Sequence, residues 1–114
     1  MDDTSSLAVT VTGGVATVTL SGDLEMAATF TVEPALERVL KTPELHLVTL
    51  DLSAVTFIDS VGLGVVMRLA GELETRGIAL RLVPGPPAVQ RVFESVGLAD
   101  VLPFDRGVSN GAGG

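Results

Sequence analysis

Two short runs near the start of the chain constrain its fold more than any other feature. Residues 7–12 read LAVTVT and residues 15–20 read VATVTL, both alternating and rich in β-branched side chains, with Gly13 and Gly14 between them. Period-two alternation sends successive side chains to opposite faces of an extended strand. A pair of glycines supplies the backbone angles that a tight two-residue turn needs, so the runs read as a β-hairpin. The chain has 114 residues, room for one domain and not for two.

Beyond the hairpin the period changes. Over residues 27–40, Val32, Leu36, Val39 and Leu40 share one helical face, with Glu33, Glu37 and Arg38 elsewhere. Pro34 interrupts this pattern because it brings no amide and crowds the carbonyl one turn back. A long helix with an irregular first turn is expected. Pro43 separates it from residues 45–52 (LHLVTLDL), a nearly continuous apolar run that reads as a central strand covered on both faces. Residues 53–59 (SAVTFID) read as a loop, and a strong helix runs from Ser60 to about Arg76. At about 100° per residue, Gly62, Val66, Leu69 and Leu73 form its apolar face, with Leu63 and Met67 at one margin and Val65 at the other. Gly77 is its expected C-cap.

Residues 78–83 (IALRLV) form a further strand, and Pro84-Gly85-Pro86-Pro87 a stiff turn into a helix over 88–96. Residues 101–104 are a candidate last strand, and residues 107–114, rich in Gly, Ser and Asn, an expected disordered tail after a single domain of residues 1–106. Strand-helix-strand alternation predicts an α/β fold with parallel pairing through right-handed crossovers. The expected architecture is a mixed sheet of four to five strands, with the antiparallel hairpin at one edge, and three main helices.

Composition narrows the functions available. Apolar residues make up 46% of the chain, enough for a core, and with four Phe, no Tyr and no Trp that core must be aliphatic. The phenylalanines are expected mostly inside it. Fourteen acidic and seven basic residues give a net charge of -7, and Lys41 is the only lysine. Such a surface repels nucleic acid and anionic membranes. No cysteine means no disulfide and no thiolate chemistry, which fits a reducing cytoplasm. Met1-Asp2-Asp3 lacks the apolar stretch of a signal peptide, and Asp51, Asp59, Arg68 and Glu72 interrupt every window that approaches bilayer length. A cytoplasmic monomer is expected.

Enzyme readings find little support. One histidine and no cysteine do not make a zinc site, and His46 falls in a run expected to be buried, where a packed, hydrogen-bonded ring is the simpler reading. Ser60 has no histidine base nearby in sequence and no flanking glycine pair of a nucleophile elbow. There is no GxxxxGK[ST], and Gly62-Leu63-Gly64 lies inside a helix without a third glycine. Asp23, Glu25, Asp51 and Asp59 could gather near one edge of the sheet, but solvated loop acids explain them more simply. No catalytic group, metal or cofactor is expected. Ser60 itself opens a helix. It reads equally well as an N-cap accepting from an orphan amide and as a phosphoacceptor, where a phosphoryl group meets free amides and adds about -1.5 to -2 charge.

The stretch Phe57-Ile58-Asp59-Ser60-Val61-Gly62-Leu63-Gly64 resembles the anti-sigma factor antagonists of the STAS domain family, whose motif is an acidic residue, the phosphorylated serine, any residue, then Gly-Leu. Gly22-Asp23-Leu24-Glu25 is similar to the family's Gly-acid-Leu-Asp segment, with Glu25 where Asp is usual. Leu50-Asp51-Leu52-Ser53, Val92-Phe93-Glu94, Gly97-Leu98 and the run at 101–104 extend the likeness over residues 7–104. The resemblance implies partner switching. An unmodified antagonist binds an anti-sigma factor that is a serine kinase, the sigma factor is released, phosphorylation of Ser60 breaks the complex, and a PP2C-type phosphatase resets it. It implies a partner surface of Asp23, Glu25, Thr56, Asp59, Ser60, Gly62, Leu63 and Met67, where core packing is the simpler reading of Leu63 and an even alternative for Met67. Two alternatives stand beside it: a non-phosphorylated STAS scaffold or accessory subunit of a stress or lipid-transport complex, and a small nucleotide-binding protein.

Overall fold

The computed structural model describes residues 6–105. Strands β1 (Ser6–Thr12) and β2 (Val15–Leu24) pair antiparallel across Gly13 and Gly14, whose φ angles of 59° and 80° are the turn geometry the two glycines predict. Helix α1 (Met26–Val39), strand β3 (Leu47–Ile58), helix α2 (Ser60–Arg76), strand β4 (Ala79–Val83) and helix α3 (Pro87–Ser95) follow. The strands lie in the order β1-β2-β3-β4, with β3 parallel to both of its neighbours. The α/β architecture, its hairpin edge and its three helices are those expected from the sequence. The tail expected at 107–114 lies outside the described residues.

Several boundaries differ. Residues 53–58 are not a loop: β3 runs for 12 residues and stays paired with β2 to the end, through Gly22↔Val55, Asp23↔Phe57 and Leu24↔Ile58. The pairing survives because the register shifts at Thr19/Ser21 and Gly22/Asp23, where Gly22 takes a φ of 85°. The second strand therefore also continues past Ser21. At the other end of the sheet, Phe104 makes only an isolated bridge with Leu82, so residues 101–104 add no strand.

The coverage of β3 also differs from expectation. Val48, Leu50 and Leu52 are buried, while Leu47, Thr49 and Asp51, which alternate with them, are only half-buried. Both crossovers step the same way across the sheet, so right-handedness puts α1 and α2 on the same face. His46 precedes the strand and is exposed, so it is not a packed core histidine. Of the phenylalanines, Phe93 is core and meets Phe104 edge-to-face at 5.0 Å, but Phe30 and Phe57 are exposed.

The helices pack as their periodicity predicts. Val32, Leu36 and Val39 of α1 and Val66, Leu69 and Leu73 of α2 are buried in one cluster with the inner residues of β2, β3 and β4. Burial of each such side chain is worth roughly 1.5–3 kcal/mol. Two polar links join the helices side by side: an Arg68–Glu33 ion pair, and Arg76 Nη1 donating to the Leu40 carbonyl at 3.2 Å. Helix α1 continues through Pro34, and Gly77 closes α2 with a φ of 71°.

Candidate functional site

The ends of β2 and β3 converge on the start of α2. The Asp59 amide donates to the Leu24 carbonyl at 3.3 Å, which fixes the last residue before α2 against the last residue of β2. Asp59 is extended (φ -115°, ψ -172°) and its Oδ1 accepts from the Gly62 amide at 3.0 Å. Asp59 is therefore the N-cap of α2, not Ser60. The reason lies one residue upstream: β3 continues to Ile58, so the extended residue that a cap requires falls at Asp59.

Ser60 thus becomes the first helical residue. It is exposed, and among the described residues its hydroxyl takes part in no hydrogen bond. The amides of a first helical turn have no partner one turn back, so this end of α2 carries partial positive charge. The structural role that competes with phosphorylation for Ser60 is filled by its neighbour.

Gly62 explains how closely these parts approach. A Cβ there would lie 2.3 Å from the Leu24 carbonyl oxygen and 2.9 Å from the Ile58 side chain. Only glycine lets α2 start this close to β2. On the other side of the junction, Thr56 Oγ1 donates to Asp23 Oδ1 at 2.9 Å, tying the exposed ends of the two strands together. Glu25 sits at the N-cap position of α1 without making a side-chain cap bond.

Of the residues expected at the site, Asp23, Glu25, Thr56, Asp59, Ser60 and Gly62 are brought to this one junction. Leu63 is only 8% exposed and belongs to the core, so it offers no side chain to a partner. Met67 is exposed but lies two helical turns beyond Ser60, about 10.5 Å along α2. There it lines a shallow groove with Ala70, Ile78, Leu80, Val101 and Leu102. Asp51 does not join the acids: it pairs with Thr19 and Val83, seven residues short of the end of β3, and accepts from the Ser53 amide at 2.9 Å. Among the described residues no group of three His, Cys, Asp or Glu side chains is placed to hold a metal ion. Nor is any helix there long and apolar enough to cross a membrane.

Sequence reasoning missed Phe30 and took Met26 only as the end of a loop over residues 23–26; both are large apolar side chains exposed on the first turns of α1. Their signal was available. Phe30 stands about 200° around the helix from Val32, off the apolar face, and Met26 lies one turn before it.

A model of the STAS domain matches residues 6–111. Among solved structures, an anti-sigma factor antagonist from Mycobacterium paratuberculosis superimposes with a TM-score of 0.82 at 27% identity, over 95% of this chain and 91% of that one. The anti-sigma factor antagonist SpoIIAA in its unphosphorylated form gives 0.74 at 21% identity, covering 90% of each chain. A sulfate transporter family protein from Wolinella succinogenes gives 0.68 at 19% identity, over 83% of this chain and 79% of that one. The last two are likenesses of fold alone.

Proposed function

Because the chain belongs to the STAS domain family, we propose that it is an anti-sigma factor antagonist switched by phosphorylation of Ser60. The unmodified protein binds an anti-sigma factor, itself an ATP-using serine kinase, and so frees the sigma factor. The kinase transfers the γ-phosphoryl group of ATP to Ser60 Oγ: the new Oγ–P bond forms, the bond to the ADP oxygen breaks, and the hydroxyl proton passes to a base of the kinase. The antagonist is the substrate of this step and supplies no catalytic group. A PP2C-type phosphatase removes the phosphoryl group.

The observation that carries this reading is the state of Ser60: exposed, at the first helical position, and relieved of capping by Asp59. A serine needed only for structure would be the cap. The surroundings fit a charge switch. Asp59 adjoins Ser60, and Asp23 and Glu25 lie at the same junction, so a phosphoryl group would meet acidic neighbours and no arginine in the first turn. Arg68, two turns along α2, is held by Glu33. The domain accommodates such charge at its surface, whereas a partner in close contact there does not.

Incubation with ATP and a cognate anti-sigma kinase, followed by intact-mass measurement, tests the assignment. One added phosphate on the wild type and none on Ser60→Ala is expected. An unmodified wild type that still binds the partner would point instead to the scaffold role of a non-phosphorylated STAS subunit.

A further inference from the structure

The first two turns of α1 stand apart from the rest of that helix. Val32, Leu36 and Val39 are buried, yet Phe30 is 78% exposed and Met26, one turn earlier on the same stripe, is 60% exposed. Pro34 has no amide to donate to the Phe30 carbonyl, so these turns are tied to the helix by one hydrogen bond fewer and can adjust to a contact.

Their position follows from the links between the helices. Glu33 pairs with Arg68, 35 residues on, and the Leu40 carbonyl accepts from Arg76, 36 residues on. Both α1 and α2 return from parallel strands, so they run in the same direction and in step. Counting one turn back from the Glu33–Arg68 pair along both helices brings Phe30 to the level of Gly64, and a second turn back brings Met26 to the level of Ser60 and Val61. Gly64 leaves a notch: a Cβ there would have only the tip of Arg68 within reach, at 3.7 Å. Glu25 and Asp59 lie toward the Ser60 end of this apolar surface, and Glu33 borders it in its pair with Arg68, on a chain of net charge -7.

We propose that Met26, Phe30 and the Gly64 notch are the apolar half of the docking surface for the anti-sigma factor, an inference that rests on the antagonist reading above. The complementary face is an apolar side chain ringed by Arg and Lys: the apolar group enters the notch and the cations meet the acidic rim. Ser60 stands at the border of this contact. A partner seated on Met26 and Phe30 takes the Ser60 side chain out of water, and a phosphoryl dianion without a cation beside it resists that transfer. Phosphorylation thus opposes closure of an apolar contact, in addition to repelling charge.

Calorimetric titration of the unphosphorylated protein with purified anti-sigma factor tests this, using wild type, Phe30→Ser and Gly64→Gln. Both substitutions fall on exposed or open positions, so thermal unfolding should stay close to wild type, while each weakens binding about tenfold or more, as for central apolar contacts. If the wild type binds and both folded variants match it within about twofold, the docking surface is wrong and the antagonist reading stands. If the wild type itself does not bind, the antagonist reading fails and the docking surface with it.

Discussion

On the proposed reading, Asp59 and Ser60 divide two tasks, capping the helix and accepting a phosphoryl group. Asp59 holds the helix and leaves Ser60 to solvent. Stability measurements separate them. Asp59→Ala should lose about 1 kcal/mol in a denaturant titration, the usual cost of a lost cap. Ser60→Ala should stay within about 0.5 kcal/mol of wild type, as exposed substitutions do. The reverse order would return the cap to Ser60. Gly62→Ala is the severe case, because the new methyl meets a backbone carbonyl that β2 pairing holds in place. It should cost about 3 kcal/mol, the upper range for overpacking, seen as a lowered denaturation midpoint. The motif around Ser60 was legible in the sequence, but the division of labour was not: one residue of extra strand decides which side chain caps, and that residue is paired across the sheet.

Among the elements, β3 and α1 carry the lesson. The nearly continuous apolar run of residues 45–52 announced a strand, but it ended before Ser53 and the rest read as loop. The continuation depends on β2, whose register slips twice to keep pace, and no local period records a slip in a partner strand. Amide hydrogen exchange distinguishes the two readings: protection should persist through Val55 and Ile58, whereas a loop there would exchange rapidly. The same experiment should show the first turns of α1 exchanging faster than the middle of α2, since Pro34 removes a bond from one and nothing comparable interrupts the other. Equal protection would contradict an adjustable start to α1. The buried face of α1 was readable from its period. The exposed Phe30 was not sought, because the phenylalanines were assigned mostly to the core.

For the molecule as a whole, net charge and the placement of acids govern encounter. With Asp23, Glu25 and Asp59 at the site and a charge of -7 overall, association with a basic partner face should slow as salt rises from about 0.05 to 0.5 M, since screening shortens the range of such attraction. An association rate indifferent to salt would argue for a contact without charge complementarity. The α/β architecture and the family were legible because the hairpin, the helix periods and the motif at Ser60 agree with one another. The proposed partner surface was not, because it would join the start of α2 to a helix whose Glu33 lies 35 residues before Arg68, through side chains that no local pattern connects.

The central claim is that Ser60 controls partner binding, and the most direct test is the affinity of the anti-sigma factor for unmodified protein, Ser60→Ala and Ser60-phosphorylated protein, measured side by side. Unmodified protein and Ser60→Ala should bind alike, and the phosphorylated form about 100-fold more weakly, roughly 2.7 kcal/mol of lost contact. Equal affinity of the phosphorylated and unmodified forms would contradict it.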